Sequence, residues 1–115
     1  MNRLVLQRRA LRDLQDARAY YQSNAPHVVG AFALAVDAEL LHLRRHAATG
    51  SPRYGLQLAW PGLRSWPVKQ FPYVIFYIDQ PEQTTVLRVL HQASDIPAHL
   101  QATSPATPSS AFPPS

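Results

Sequence analysis

The fold is decided by residues 71–91, which read FPYVIFYIDQPEQTTVLRVLH. Residues 73–78 form an unbroken apolar run, and residues 84–91 are rich in β-branched side chains, so each segment predicts a strand. The short turn over residues 79–83 indicates that the two strands pair as an antiparallel hairpin. A strand without a polar break is expected to be covered on both faces.

The chain before this hairpin predicts an opening strand, two helices and a further strand. Residues 2–6 form the strand, and residues 9–22 and 29–46 form the helices. The helical stripes consist of Ala10, Leu14, Ala17 and Tyr21 in the first, and of Val29, Phe32, Ala33, Val36, Leu40 and Leu43 in the second. Residues 63–69 alternate as a strand, which Pro67 restricts to an edge or a bulge because it lacks an N–H.

This order predicts an α+β fold. An N-terminal strand and a helical hairpin precede a three-stranded antiparallel meander, and all strands join one sheet with the helices packed on one face. The 115 residues suffice for one domain, which we place at residues 1–100. Residues 101–115 carry no charged side chain and four of the eleven prolines, so we predict a disordered or extended tail.

The composition limits the cellular compartment and the binding partners that are expected. The chain has no cysteine, which excludes a disulfide framework and a thiolate metal site. The apolar run over residues 74–78 is far too short to span a bilayer, and no signal peptide is evident, so we expect a cytoplasmic protein. The net charge is +4, and ten of the eleven basic residues are arginine. Arginine suits an acidic or nucleic-acid partner, although a solvated basic surface is the simpler explanation of the charge alone.

Four segments resemble the RelE/ParE toxins of type II toxin–antitoxin systems, and in particular the ParE branch. They are residues 10–14 (ALRDL), 62–64 (GLR), 71–77 (FPYVIFY) and 86–91 (VLRVLH), the last followed by Asp95. The resemblance covers residues 3–100. It implies a toxin that arrests growth, a cognate ParD-like antitoxin, no cofactor, and contact with DNA only through the antitoxin complex.

The resemblance also distinguishes two kinds of chemistry. RelE-like members cleave mRNA on the ribosome with arginines and a tyrosine, and the corresponding positions here are Val74, Ser94 and Leu100. Valine and leucine cannot move a proton or stabilise an oxyanion. ParE-like members are associated with inhibition of DNA gyrase through binding, so we expect a binding toxin rather than an enzyme.

The candidate binding residues lie on the meander. If Leu63, Leu87 and Val89 face the helices, strict alternation places Arg64, Trp66 and Arg88 together on the opposite face. That patch could contact the target or the antitoxin. The alternative is that the two arginines form surface ion pairs with Asp79, Glu82 or Asp95.

The last strand contributes three further candidates. Alternation places Val86 and Leu90 on one face and Leu87 and Val89 on the other, so a two-layer domain would leave one apolar face for an antitoxin to cover. The spacing of His91 and Asp95 would allow a catalytic dyad, but the sequence supplies no nucleophile that His91 would activate. A structural hydrogen bond of His91 is the simpler interpretation. The other histidines form no ligand motif, so we expect no metal site.

Two alternative functions remain open. The chain could be a ribosome-dependent endoribonuclease that uses Arg64, Arg88 and His91, or an inactive remnant that still binds an antitoxin.

Overall fold

A computed structural model describes residues 3–103. The elements, in chain order, are β1 (Arg3–Leu6), α1 (Arg8–Asn24), α2 (Val29–Arg45), α3 (Arg53–Gln57), β2 (Leu63–Pro67), β3 (Tyr73–Asp79), β4 (Gln83–His91) and α4 (Ile96–Thr103). Short 3₁₀ turns precede α2, over Pro26–Val28, and follow it, over Ala47–Thr49. The predicted α+β class is confirmed, and the opening strand, the helical hairpin and the meander occur in the predicted order.

The four strands form one mixed sheet in the order β1-β4-β3-β2. The meander β2-β3-β4 is antiparallel, whereas β1 pairs with β4 in parallel, because the helical hairpin returns the chain to the starting end of the sheet. Strand β2 is an edge strand, as Pro67 requires. The backbones of Ser51 and Ser65 exchange two hydrogen bonds of 2.9 Å on its outer side, which shields that edge.

A bulge in β4 changes which residues face which side. Phe76 pairs with Arg88 and Tyr77 pairs with Val86, so Leu87 has no partner across the ladder. The extra residue shifts the alternation by one position.

The prediction of strict alternation along β4 is therefore wrong. Val86 and Val89 both face the helical hairpin, whereas Leu87 and Leu90 both face the opposite side.

The core on the hairpin side is formed by α1, α2 and one face of the sheet. Its fully buried members include Ala10, Phe32, Leu43, Ile75 and Tyr77. Small residues on α1 let that helix approach the sheet, while α2 supplies the large side chains. Full burial of a side chain such as Phe32 contributes about 1.5–3 kcal/mol.

The opposite side of the sheet carries a second core that the sequence analysis did not anticipate. Leu63, Phe76, Leu87 and Leu90 pack there against α4, and Tyr54 and Leu58, within and just after α3, complete the cluster. Helices therefore lie on both faces of the sheet, not on one face only. Helix α4 extends to Thr103, so residues 101–103, predicted as part of the tail, belong to the domain; the rest of that predicted tail lies outside the described residues.

Helix α2 with its preceding 3₁₀ turn, Pro26–Arg45, is long and apolar enough to cross a membrane by length and composition. Its mean hydropathy reaches 1.2. One face of this helix, with Phe32, Val36 and Leu43, lies in the hairpin core. A core helix of a globular domain meets the same criterion.

Candidate functional site

The free edge of β4 is the point where the two helical layers meet. Strand β1 pairs with β4 only as far as Val86, so the β4 backbone beyond it has no neighbouring strand on that side. Asp13 of α1 replaces the missing strand, because its Oδ2 accepts the Val89 N–H at 2.9 Å. A buried ladder N–H is thereby satisfied by a side chain.

Arg88 binds the same carboxylate in a two-pronged contact. Its Nε donates to Oδ2 of Asp13 at 2.8 Å and its Nη2 donates to Oδ1 at 3.0 Å. Its Nη1 donates to the Thr103 hydroxyl at 3.2 Å. The Arg88 side chain is 6% exposed and that of Asp13 is 12% exposed, so water screens this ion pair little. Arg88 thus ties α1, β4 and α4 together.

A groove of about 620 Å³ lies beside this ion pair, between α1, the end of β4 and α4. Its wall is aromatic and polar, and includes Asp16, Tyr20, Tyr73, His91 and His99. Burial raises the pKa of Tyr73, and nearby Tyr21 adds to that shift, so the phenol stays neutral at physiological pH. The groove offers hydrogen bonds and ring faces to a ligand, which suits binding of a polypeptide segment.

His91 is placed on the rim of this groove and forms no dyad with Asp95. Its Nδ1 accepts the Ala93 N–H at 3.0 Å, and its ring stands edge-on to Tyr73. Asp95 instead accepts the Ala98 N–H at 3.3 Å, as an N-cap of α4. The hydrogen-bonded, structural interpretation of this histidine is the one that the geometry supports.

Arg64 lies on the hairpin side of β2, away from Arg88. Its Nη1 donates to the Gly50 carbonyl at 2.7 Å, and its Nε stands 3.7 Å from Oδ2 of Asp79, one of the ion pairs foreseen. Beside it, Tyr77 donates its hydroxyl to the Ala47 carbonyl and accepts the Gly50 N–H at 3.1 Å. Burial raises the pKa of Tyr77 to about 12. These bonds hold the connection after α2 against the sheet.

Trp66 packs under α2 instead of on an open face. Its Nε1 donates to Oε1 of Glu39 at 2.8 Å, and its ring stacks on His42 with centroids 4.5 Å apart. Glu39 is only 7% exposed and also accepts the Lys69 N–H, at 3.4 Å. This buried carboxylate is stabilised by two neutral donors and fixes the register of α2 over β2.

The expected joint patch of Arg64, Trp66 and Arg88 is therefore wrong. Its premise was that Leu63 and Leu87 face the helical hairpin, but both lie in the core on the other side of the sheet. Val86 and Leu90 are 0% and 5% exposed, so neither presents an open apolar face in this conformation. Of the predicted site residues, the groove brings together Arg88, Leu90 and His91.

The three positions that the ribonuclease branch would use are also placed. Leu100 is fully buried in the second core, and the half-buried Val74 packs against the same cluster. The Ser94 hydroxyl donates to the His91 carbonyl at 2.6 Å. Two of these three side chains are therefore part of an apolar core, and neither a valine nor a leucine can transfer a proton.

The sequence analysis did not single out Asp13 and Glu39, whose carboxylates join the helices to the meander. Both acids lie within the apolar stripes of their helices, Asp13 between Ala10 and Ala17 and Glu39 between Val36 and Leu43. An acidic residue on the buried stripe of a helix indicates a dedicated donor elsewhere in the fold, because an unpaired buried charge is costly. That signal was available in the sequence.

The fold and the groove define a small two-faced α+β domain suited to binding, and residues 3–103 contain no group of acids and histidines able to hold a metal ion. Residues 4–96 match the family described as ParE toxin of type II toxin–antitoxin system, parDE. The chain belongs to this family, which confirms the resemblance identified in the sequence.

A solved structure, the chromosomal ParDE TA system from P. aeruginosa, shares the fold. The TM-score is 0.67 at 19% sequence identity, over 79% of this chain and 96% of the other chain. No curated protein matches this chain in sequence.

Proposed function

We propose that this chain is a cytoplasmic toxin that arrests growth by binding and inhibiting DNA gyrase, and that a cognate ParD-like antitoxin neutralises it. The observation that carries the proposal is the apolar packing of Val74 and Leu100 in one cluster, at the positions that ribonuclease chemistry would need. Membership of the ParE family supports the same direction.

The state of the arginines also favours binding over catalysis. A catalytic arginine must be able to reach a phosphate, yet Arg88 is 5% exposed and bound to Asp13. Arg64 and Arg88 face opposite sides of the sheet, since the first pairs across from Tyr77 and the second from Phe76. They cannot converge on one phosphate without a rearrangement of the sheet.

An antitoxin partner follows from the same family and from the solved relative, whose title names a ParDE system. The groove beside β4 supplies a surface of suitable chemistry, because Tyr20 is 58% exposed and Tyr73, His91 and His99 line the wall. A polypeptide segment that folds on binding would cover such a surface.

The test is a supercoiling assay with purified gyrase, run with this protein alone and with this protein premixed with a ParD-like antitoxin. Loss of supercoiling that the premix restores is expected. Normal supercoiling at a large molar excess of the toxin would contradict gyrase as the target.

Mapping mRNA ends after induction distinguishes the ribonuclease alternative from gyrase inhibition. Cuts in the ribosomal A site that disappear in Arg64→Met or His91→Ala would establish it. The growth rate of induced cells distinguishes an inactive remnant from an active toxin, because a remnant would leave that rate unchanged. Growth arrest without A-site cuts is the outcome that we expect.

A further inference from the structure

The groove beside the end of β4 has a wall of four neighbouring aromatic rings. The ring centroids of Tyr20 and Tyr21 lie 5.5 Å apart, those of Tyr21 and Tyr73 lie 6.3 Å apart, and those of Tyr73 and His91 lie 5.3 Å apart. All four residues line the same groove of about 620 Å³. Tyr20 is 58% exposed, so a ligand can reach this wall directly from solvent.

A carboxylate without a partner lies beside the aromatic wall. Asp16 precedes Tyr20 by four residues on α1, so the two side chains are neighbours on one helix face. Within residues 3–103, the Asp16 side chain has neither an ion pair nor a hydrogen bond. The other charged side chains of the lining, Asp13 and Arg88, bind each other. With histidine counted as neutral, the groove carries a negative charge on a chain whose net charge is +4.

Aromatic faces next to an unpaired carboxylate are suited to binding a cationic side chain. The face of an aromatic ring carries partial negative charge, which attracts a cation. Arginine fits better than lysine, because its planar guanidinium is weakly hydrated, stacks on rings and can donate two N–H groups to one carboxylate. An anionic group would instead be repelled by Asp16, and Arg88, the arginine of the lining, already donates to Asp13.

We propose that the groove receives an arginine side chain of the antitoxin, whose guanidinium binds the Asp16 carboxylate and stacks on the Tyr20 ring. This inference rests on the proposed function, which supplies the antitoxin as the partner. The positive net charge of the chain favours an acidic partner as a whole. A single acidic groove on that basic chain would accept one basic residue of the partner, and so would fix the register in which the partner binds.

The first experiment tests the groove without the antitoxin. N-acetyl-arginine amide is titrated into the full-length protein, and the resonances of Asp16 and Tyr20 are followed by NMR. N-acetyl-citrulline amide, which has a similar shape and no charge, is the ligand control. We expect saturable shifts with the arginine derivative only, and their loss in Asp16→Asn. The matched protein control is Asp37→Asn, at an exposed carboxylate of α2 that also lacks a partner among the described residues, and it should bind as the unmodified chain does.

Equal shifts with both derivatives would overturn the proposal, because the charge would then contribute nothing. The same conclusion would follow if neither derivative shifted these resonances, or if Asp16→Asn bound the arginine derivative as well as Asp37→Asn does.

The second experiment measures the affinity of a ParD-like antitoxin for the toxin variants by calorimetry. Asp16→Asn and Tyr20→Ala should each weaken binding by about three- to fivefold, whereas Tyr20→Phe, which keeps the ring face, should bind normally. Equal affinities of all variants would overturn this inference and leave the proposed function standing. Failure of the antitoxin to bind even the unmodified chain would contradict the proposed neutralisation, and the inference with it.

Discussion

At the scale of single residues, two largely buried carboxylates and one buried phenol hold the layers together. Asp13 and Glu39 each bond to a backbone N–H of the sheet region and to one side chain of the meander. Tyr77 fixes the connection that follows α2. These are specific polar contacts within apolar surroundings, so removal of one partner leaves an unsatisfied buried group.

Breaking the Asp13–Arg88 pair should be costly. Arg88→Met leaves the Asp13 carboxylate buried with only the Val89 N–H as donor, so we expect a loss of about 3–5 kcal/mol in the free energy of unfolding. Urea unfolding measures it. Adding Asp13→Asn should recover part of the loss, because the amide oxygen still accepts from Val89 and carries no charge.

The control for this prediction is Asp79→Asn, which breaks the Arg64–Asp79 ion pair and leaves the bond from Arg64 to the Gly50 carbonyl in place. That pair is longer, at 3.7 Å, and both side chains are 28% exposed, so a loss of about 1 kcal/mol or less is expected. Equal losses of unfolding free energy in the two variants would show that the Asp13–Arg88 pair stabilises the fold no more than an exposed ion pair does.

Tyr77→Phe should alter both the stability and its pH dependence. At neutral pH the variant leaves the Ala47 carbonyl and the Gly50 N–H without a partner, at a cost of about 1–3 kcal/mol. The pKa of Tyr77 is about 12 in the native protein, against an ordinary value of 10.0. Between these values the unfolded chain loses the proton and the native protein keeps it, so this contribution to stability falls as the pH rises.

The stability gap between wild type and Tyr77→Phe should therefore narrow from pH 10 to pH 12, the window set by those two pKa values. Urea unfolding at several pH values checks it. Tyr20→Phe, at a phenol that is 58% exposed, serves as the control and should change stability little. A gap that stays constant through the window would argue against a raised native pKa.

At the scale of elements, the sequence predicts the order of strands and helices, but it does not predict which side of the sheet each β4 side chain faces. Periodicity assigns sides only while the alternation is unbroken, and Leu87 carries no turn or glycine signal that marks the bulge. The bulge places Arg88 on the opposite side of the sheet from Arg64 and Trp66, which alternation had put on one face. Helix α4 was detectable, because Asp95 followed by Pro97 is a typical helix start.

Helix α4 should be the element most sensitive to a single truncation. Leu100→Ala removes a fully buried side chain from the second core, and we expect a loss of about 2–5 kcal/mol. Hydrogen exchange should show the α4 amides losing protection before those of β3, since the hairpin core is untouched. Leu56→Ala, at a leucine that is 79% exposed, is the control and should change stability by less than about 0.5 kcal/mol. Uniform loss of protection in both elements would mean that the two cores unfold as one unit.

At the scale of the whole molecule, the sheet is covered on both sides and the apolar surface that remains lies on the helices. Burial of Val86 and Leu90 removes the open sheet face that the sequence had suggested for an antitoxin. Leu34 and Leu41 of α2 are instead 72% and 46% exposed, and their spacing of seven residues puts them on one outward stripe. A stripe of this kind is typical of a protein that is stable in a complex.

The isolated chain is therefore expected to self-associate through the outward stripe of α2. Replacing Leu34 and Leu41 by glutamate should lower the apparent molar mass at high concentration, as measured by light scattering, and leave the urea midpoint nearly unchanged, because neither side chain belongs to a core. Replacing Leu11 and Leu56 by glutamate is the matched control: it adds the same two charges at exposed leucines of two different helices, and an isolated exposed leucine does not drive association. If the control reduced the molar mass as much as the α2 variant, net charge would account for the effect. If the molar mass of the unmodified chain stayed at 12.9 kDa at every concentration, the outward stripe of α2 would not drive self-association.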